Sequence, residues 1–202
     1  MVVKIAVAGN QWITQYLIDS MVIAGFKPDL VINVSPDESK SISGYVDLKE
    51  LCDKYEIKIY RPNKYSLKST LDKEKLKGKV DLLYVFGWQR LIPGWFIETC
   101  IKGVYGVHGG PLMPPRCRGR AVFNWAIILG YNKFYMYLFS ITDGADEGDI
   151  AEIVEFDINN DDDILTLYHK NCIVSSRMFI NNLPKILDGT LKLTEQPDEE
   201  ST

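Results

Sequence analysis

The stretch D-L-L-Y-V-F at residues 81–86 is an unbroken apolar run behind one opening carboxylate, and it stops at Gly87. It lacks the apolar–polar alternation of a half-exposed strand, and its length suits a strand covered on both faces, as in a parallel sheet. Strand-like runs also stand at 3–8, 30–34, 57–60 and 104–108, and helical spacing separates them at 14–23, 47–55 and 93–100. Leu48, Leu51 and Cys52 give the second helix its stripe, and Pro93 opens the third. Strand and helix in alternation predict an α/β fold.

The expected architecture is a Rossmann-like, mostly parallel sheet with helices on both faces. Past residue 110 the pattern changes. A helix is expected at 119–129, and two strands that alternate, 134–141 and 153–158, form an antiparallel pair at the sheet edge. Asp161, Asp162 and Asp163 look like a metal cluster, but Leu165, Tyr168, Cys172, Phe179 and Leu183 follow at helical spacing, so the acids read as caps at a helix start. Pro184 should kink or restart that helix and Gly189 should end it. Residues 1–190 read as one catalytic domain. Residues 191–202 read as an acidic tail and the start of a further extension, with 195–202 poorly ordered.

Bulk properties narrow the function. The 202 residues suit one domain with a real core, and 46% hydrophobic with 25% charged residues is ordinary globular composition. A net charge of -4 offers no clustered cations for phosphate backbones, so nucleic acid is not an expected partner. The opening apolar run is too short for a signal peptide or a membrane span, which predicts a cytoplasmic protein with no membrane partner. Cys52, Cys100, Cys117 and Cys172 lack paired spacing and the histidines are only His108 and His169, so neither a metal site nor a disulfide frame is expected.

Parallel α/β sheets bind ligands where strands end at their carboxyl side, because loops converge there and helix amino termini point in. Three segments end strands with suggestive residues: Phe86-Gly87-Trp88, Gly106-Val107-His108-Gly109-Gly110, and Asp143-Gly144-Ala145-Asp146-Glu147-Gly148. A histidine kept for packing sits more naturally inside a regular element than at the mouth of a Gly- and Pro-rich loop. A carboxylate near that imidazole would fix its tautomer and favour the protonated form, the arrangement proton transfer near neutrality needs. Asp146 alone reads as a turn residue; beside His108 it gains that second meaning.

Taken together, G-V-Y-G-V-H-G-G-P-L-M-P-P-R-C-R-G-R-A-V-F-N-W-A-I-I-L-G (103–130) and D-G-A-D-E-G-D-I (143–150) resemble the folate-dependent formyltransferase family. The resemblance implies a formyltransferase catalytic domain with 10-formyltetrahydrofolate as donor. It places His108 and Asp146 in catalysis, and the donor against Phe86, Gly87, Trp88 and the turn at Asp143. His108 would assist proton movement and polarise the formyl carbonyl, and Asp146 would orient and charge-balance it. One departure stands out: the family's asparagine falls on Gly106. An oxyanion donor lost without replacement costs about 3 kcal/mol in the barrier, so the resemblance implies either a substitute group or a non-catalytic binding relative.

The same comparison bears on the acceptor. Glycinamide ribonucleotide enzymes carry a second glycine after the first strand, where this chain reads Ala8-Gly9-Asn10-Gln11-Trp12, and the tRNA enzymes add a basic carboxyl-terminal domain. The run Arg118-Gly119-Arg120-Ala121, continuing to Asn124-Trp125, looks like the sugar-directed branch. The expected partner is a nucleotide-linked amino sugar, with a dTDP-linked amino-dideoxy sugar favoured and a homodimer allowed. Asn10, Trp12, Arg118 and Arg120 are its candidate contacts, the arginines for a diphosphate and Trp12 for stacking. Solvated arginines and a core tryptophan are equally good readings of those side chains.

Overall fold

The computed structural model describes residues 2–196, and the chain divides into two compact units, Met1–Gly106 and Val107–Thr202. The first unit runs β1 (Ile5–Ala8), α1 (Trp12–Ile23), β2 (Leu30–Ile32), a 3-10 turn (Pro36–Glu38), α2 (Lys49–Tyr55), β3 (Lys58–Tyr60), α3 (Thr70–Leu76), β4 (Leu82–Val85), α4 (Gly94–Thr99) and the start of β5 (Val104–Gly110). Its strands lie in the order β3-β2-β1-β4-β5, all pairs parallel, with Val7 opposite Val31 on one side and Tyr84 on the other. Ala6, Val7, Ala8, Leu82, Leu83 and Tyr84 are wholly buried. Both faces of β1 and β4 are therefore covered, which is why their sequences run apolar without alternation.

The turn after β1 closes on the end of β4. A Cβ on Gly9 would stand 2.1 Å from the Phe86 carbonyl oxygen, so only glycine fits. The Thr14 hydroxyl donates to that oxygen at 2.6 Å, the Asn10 amide donates to the Gly87 carbonyl at 3.0 Å, and the Phe86 amide donates to the Ala8 carbonyl at 3.0 Å. Helix α1 accordingly begins at Trp12, ahead of the expected 14. Helix α3 has no counterpart in the periodicity. Its signal is the pattern Ser69-x-x-Asp72, where the serine hydroxyl accepts from the Asp72 amide at 3.0 Å.

In the second unit β5 continues to Gly110 and is followed by α5 (Val122–Ile128), β6 (Lys133–Ser140), β7 (Ile150–Asp157) and α6 (Ile164–Asp188). The β6–β7 pair is antiparallel as expected, with Phe134 opposite Phe156 and Tyr137 opposite Ile153. An irregularity after Leu138 shifts the register so that Phe139 meets Ile150. Strand β7 starts at Ile150, earlier than alternation suggests, because Ile150 exchanges two backbone hydrogen bonds with Thr194, at 2.7 and 2.8 Å.

Helix α5 starts only at Val122, since Gly119 (φ 135°) and Ala121 (φ 60°) lie outside the right-handed region. Arg118 and Arg120 thus stand in a loop ahead of the helix. The Asp163 carboxylate caps α6 by accepting from the Thr166 amide at 2.8 Å, and Gly189 (φ 79°) ends it. The helix continues across Pro184, so the restart that the sequence allows does not occur. Leu183 and Ile186, buried on either side, hold the segment against the proline's missing donor. Gln196 is only 6% exposed, unlike the loose tail expected there; residues 197–202 lie outside the described residues. Among the described residues no helix is long and apolar enough to cross a membrane.

Thr14→Val keeps the size of a buried side chain and removes its donor, leaving the Phe86 carbonyl short of a partner. The expected loss is about 1–3 kcal/mol, read as a lower urea midpoint at unchanged m value. A midpoint equal to the parent's would show that the hydroxyl bond is dispensable.

Candidate active site

In the first unit, Asn10, Phe86, Gly87 and Trp88 gather where β1 and β4 end. Asn10 is wholly buried: its Oδ1 accepts from the Val34 amide at 2.8 Å and from Asn33 Nδ2 at 3.1 Å. A backbone donor on Oδ1 fixes the amide's orientation and leaves Nδ2 with no hydrogen-bond partner. Asn33 ties this turn to the next, donating to the Gly9 and Val46 carbonyls and accepting from the Leu48 amide and from Arg61, which also pairs with Asp47. Gly87 takes φ 76°, and a Cβ there would come within 2.7 Å of Thr14 Oγ1. Phe86 is buried, Trp12 is half-buried, and Trp88 is 9% exposed with its indole Nε1 unpartnered.

The loop at 61–69 packs against Trp88. Its Tyr65 ring meets Trp88 edge-on, with centroids 4.8 Å apart, and its hydroxyl accepts from the Gln89 amide at 2.9 Å. Arg90 lies over that ring, 4.9 Å from its centroid. Asp72 holds the loop's shape. Its wholly buried carboxylate accepts from the Tyr60 hydroxyl, the Asn63 and Lys64 amides and the Ser69 hydroxyl, at 2.8, 2.7, 3.2 and 2.6 Å.

In the second unit the expected pair meets. His108 Nδ1 lies 3.7 Å from Asp146 Oδ2, with side chains 15% and 30% exposed. His108 Nε2 stands 3.0 Å from the Cys117 carbonyl oxygen. A carbonyl only accepts, so Nε2 carries a proton and Nδ1, facing the carboxylate, is the nitrogen free to gain or lose one. Asp146 adopts φ 56°, in the left-handed region. Two residues on, a Cβ at Gly148 would fall 1.7 Å from the Ser140 carbonyl oxygen, so the turn is pressed onto the end of β6. Gln196 Nε2 donates to the Asp146 and Gly148 carbonyls at 3.0 and 2.6 Å, and its Oε1 accepts from Arg118 Nη2 at 2.7 Å. Arg120 and Asp143 are exposed.

Tyr137, wholly buried on β6, sets its ring edge-on to His108 with centroids 5.7 Å apart. Burial, and then the Asp146 charge, push its phenol far above the ordinary range despite the opposing Arg118 cation, so the hydroxyl stays protonated. That hydroxyl has no partner, and neither has Arg118 Nε.

Among the described residues, the buried side-chain polar atoms without a partner are Asn10 Nδ2, Trp88 Nε1, Arg118 Nε, Tyr137 Oη and Ser176 Oγ. Native interiors leave few such groups, and Asn10, Trp88 and Arg118 are residues the sequence singled out. Sequence reasoning missed Tyr65, Asp72, Tyr137 and Gln196. Only Asp72 carried a local signal, its place in the Ser-x-x-Asp cap. The other three act through contacts that no spacing encodes.

Residues 3–183 match the family described as Formyl transferase. The methionyl-tRNA formyltransferase of Kosmotoga olearia is 30% identical over 156 residues, covering 77% of this chain and 49% of that protein. The Bacillus subtilis enzyme of the same name is 25% identical over 167 residues, covering 83% and 52%. The chain therefore spans about half the length of the curated relatives it matches. Among solved structures, a Helicobacter canadensis N-formyltransferase in complex with folinic acid and dTDP-3-aminofucose superposes with TM-score 0.73 at 20% identity, over 100% of this chain and 70% of that one. Glycinamide ribonucleotide transformylase 1 of Symbiobacterium toebii gives TM-score 0.75 at 16% identity, over 97% and 95%.

The Asp72 clamp makes a pH-dependent prediction. Burial works to raise this carboxyl's pKa, but the bonds from Ser69, Asn63, Tyr60 and Lys64 outweigh it and hold the pKa below the ordinary value. Its stabilising effect is then present above the unfolded carboxyl pKa of about 4 and disappears as pH falls through the lower folded value. Asp72→Asn should lower the urea midpoint at neutral pH, and the gap to the parent should narrow on acidification below the ordinary carboxyl pKa of about 4. A gap that stays constant over that range would mean that the charge on Asp72 is not what holds the loop.

Proposed function

The chain belongs to the formyltransferase family, and from that premise we propose that it moves a formyl group from 10-formyltetrahydrofolate to the primary amine of a nucleotide-linked amino sugar. The observation that carries the reading is the His108–Asp146 pair with the imidazole's other nitrogen fixed on the Cys117 carbonyl. The first unit's residues suit a reduced folate. The Trp88 indole has a buried N–H in want of an acceptor beside a glycine that keeps the backbone bare, and a pterin ring is rich in acceptors. Bound there, the donor supplies the formyl carbon as an electrophile.

Transfer forms one bond, from the amine nitrogen to the formyl carbon, and breaks one, from that carbon to the donor nitrogen. As the amine lone pair is spent its nitrogen becomes acidic, and one proton must leave it while one reaches the departing nitrogen. His108 Nδ1 is the atom able to carry that proton, and Asp146 balances the imidazolium that results. Since 3.7 Å exceeds a direct hydrogen bond, an N–H set beside the pair faces two acceptors, Nδ1 and Oδ2. Arg118, whose Nη2 is held by a neutral amide, offers its charge to a diphosphate.

The sugar acceptor is favoured by likeness to the Helicobacter canadensis enzyme and by the missing second glycine after β1. The similar TM-score to a glycinamide ribonucleotide transformylase keeps that amine as the second candidate. Incubation with 10-formyltetrahydrofolate and, in parallel, dTDP-linked amino sugars and glycinamide ribonucleotide decides between them, with release of tetrahydrofolate as readout. The expected product is a formylated sugar. Formylation of the ribonucleotide alone would transfer the proposal to that acceptor, and no turnover with any amine would overturn it. His108→Ala should lower kcat/KM by about 10²–10⁴-fold, with Asp146→Asn of comparable size and the far-ultraviolet circular dichroism unchanged; near-parental rates in either would remove the pair from the chemistry.

A further inference from the structure

We propose that Gln196 is a positioning residue: one carboxamide fixes both the backbone of the Asp146 turn and the guanidinium of Arg118. This assigns a reaction role to a side chain beyond the last helix, and it rests on the formyl-transfer reading of His108 and Asp146. Gln196 is buried, and each polar atom of its amide is engaged. Nε2 donates to the carbonyls of Asp146 and Gly148, and Oε1 accepts from Arg118 Nη2. The amide's orientation is settled by its partners, because a flipped carboxamide would turn oxygen toward two carbonyl oxygens and NH₂ toward a cation.

The turn needs such a tether. Asp146 sits in the left-handed region at φ 56°, a conformation uncommon for any residue but glycine, and Gly148 is packed where no Cβ fits. The segment that delivers Gln196 is itself anchored by the paired backbone bonds between Thr194 and Ile150, the first residue after the turn's Asp149. A clamp through a neutral amide has a second consequence. A glutamate here would also bind Arg118 but would neutralise it, and would set a negative charge against the two carbonyls. Glutamine holds the cation while leaving its charge available to an anionic acceptor, and Arg118 Nε remains buried with no partner of its own.

The test compares Gln196→Ala and Gln196→Glu in the full chain by steady-state kinetics and by amide hydrogen exchange. Releasing the turn should lower kcat by about ten- to a hundredfold in both variants, the scale on which sub-ångström to ångström misplacement acts. In Gln196→Glu the acceptor KM should rise further than in Gln196→Ala, because only the glutamate consumes the Arg118 charge. Exchange at residues 146–149 should speed up in both while amides in the middle of α6 keep their protection, which separates a loosened turn from a loosened domain. Parental exchange at 146–149 would overturn the proposal, and so would equal losses throughout α6. If the parent formylates no amine, the functional reading fails on its own, and the exchange measurement still decides whether Gln196 holds the turn.

Discussion

Backbone groups beyond the end of a β-strand lose the ladder that satisfied them, and the loops of this protein stand or fall by what replaces it. The answer is a small set of hydrogen-bonding side chains. Thr14 takes the Phe86 carbonyl, Asn33 takes two carbonyls and an amide, Asp72 takes two amides and two hydroxyls, and Gln196 takes two carbonyls and a guanidinium. Each lies behind a residue that the family resemblance assigns to chemistry or binding. Loops that would otherwise be mobile are thereby held on rigid strands, which is what precise placement of reacting groups requires.

The accounting also shows where the fold stops short. Asn10 and Arg118 spend one side of their side chains on the scaffold and leave a buried donor idle on the other, and the Trp88 indole and Tyr137 phenol are idle altogether. An unmade hydrogen bond in a protein interior costs about 1–3 kcal/mol, a cost that structural residues seldom carry. An acceptor brought to such a donor by a ligand would recover that free energy. The isolated case, Ser176 on α6, lies with no candidate residue, and the structure gives no account of it.

How much of this was legible in the sequence follows from how far apart the partners lie. Strands β1 and β4 were readable because near-continuous burial leaves a continuous apolar word. The β6–β7 pair was readable from its aromatic and β-branched residues, although burial does not alternate along β6. Helix α3 escaped because its seven residues carry only Leu71 and Leu76 as large apolar side chains, and Leu71 is exposed. The unbroken passage of α6 through Pro184 escaped because local propensity cannot see the packing of Leu183 and Ile186. His108 and Asp146 were legible as a candidate pair from their strand-end loops and their chemistry, and the resemblance strengthened the pairing, but spacing alone says nothing about residues 38 apart meeting at 3.7 Å. Gln196 had no signal at all, since its partners lie 48, 50 and 78 positions away.

The orientation of the imidazole constrains the rest of the chemistry. With Nε2–H committed to the Cys117 carbonyl, protonation at Nδ1 is the one event that changes the charge of His108, and Asp146 faces that nitrogen. A second ionised acid against the same ring would hold the imidazole as a permanent cation and remove its value as a proton carrier. Tyr137 also stands near the imidazole, its ring steeply inclined to it, and its hydroxyl is kept neutral by burial and by the Asp146 charge. The left-handed turn at 146 thus sets one carboxylate opposite the ring nitrogen that the Cys117 carbonyl leaves free. Loss of that turn would leave His108 in place without its facing carboxylate, so the proposed chemistry depends on the loop backbone at 146 as well as on the histidine.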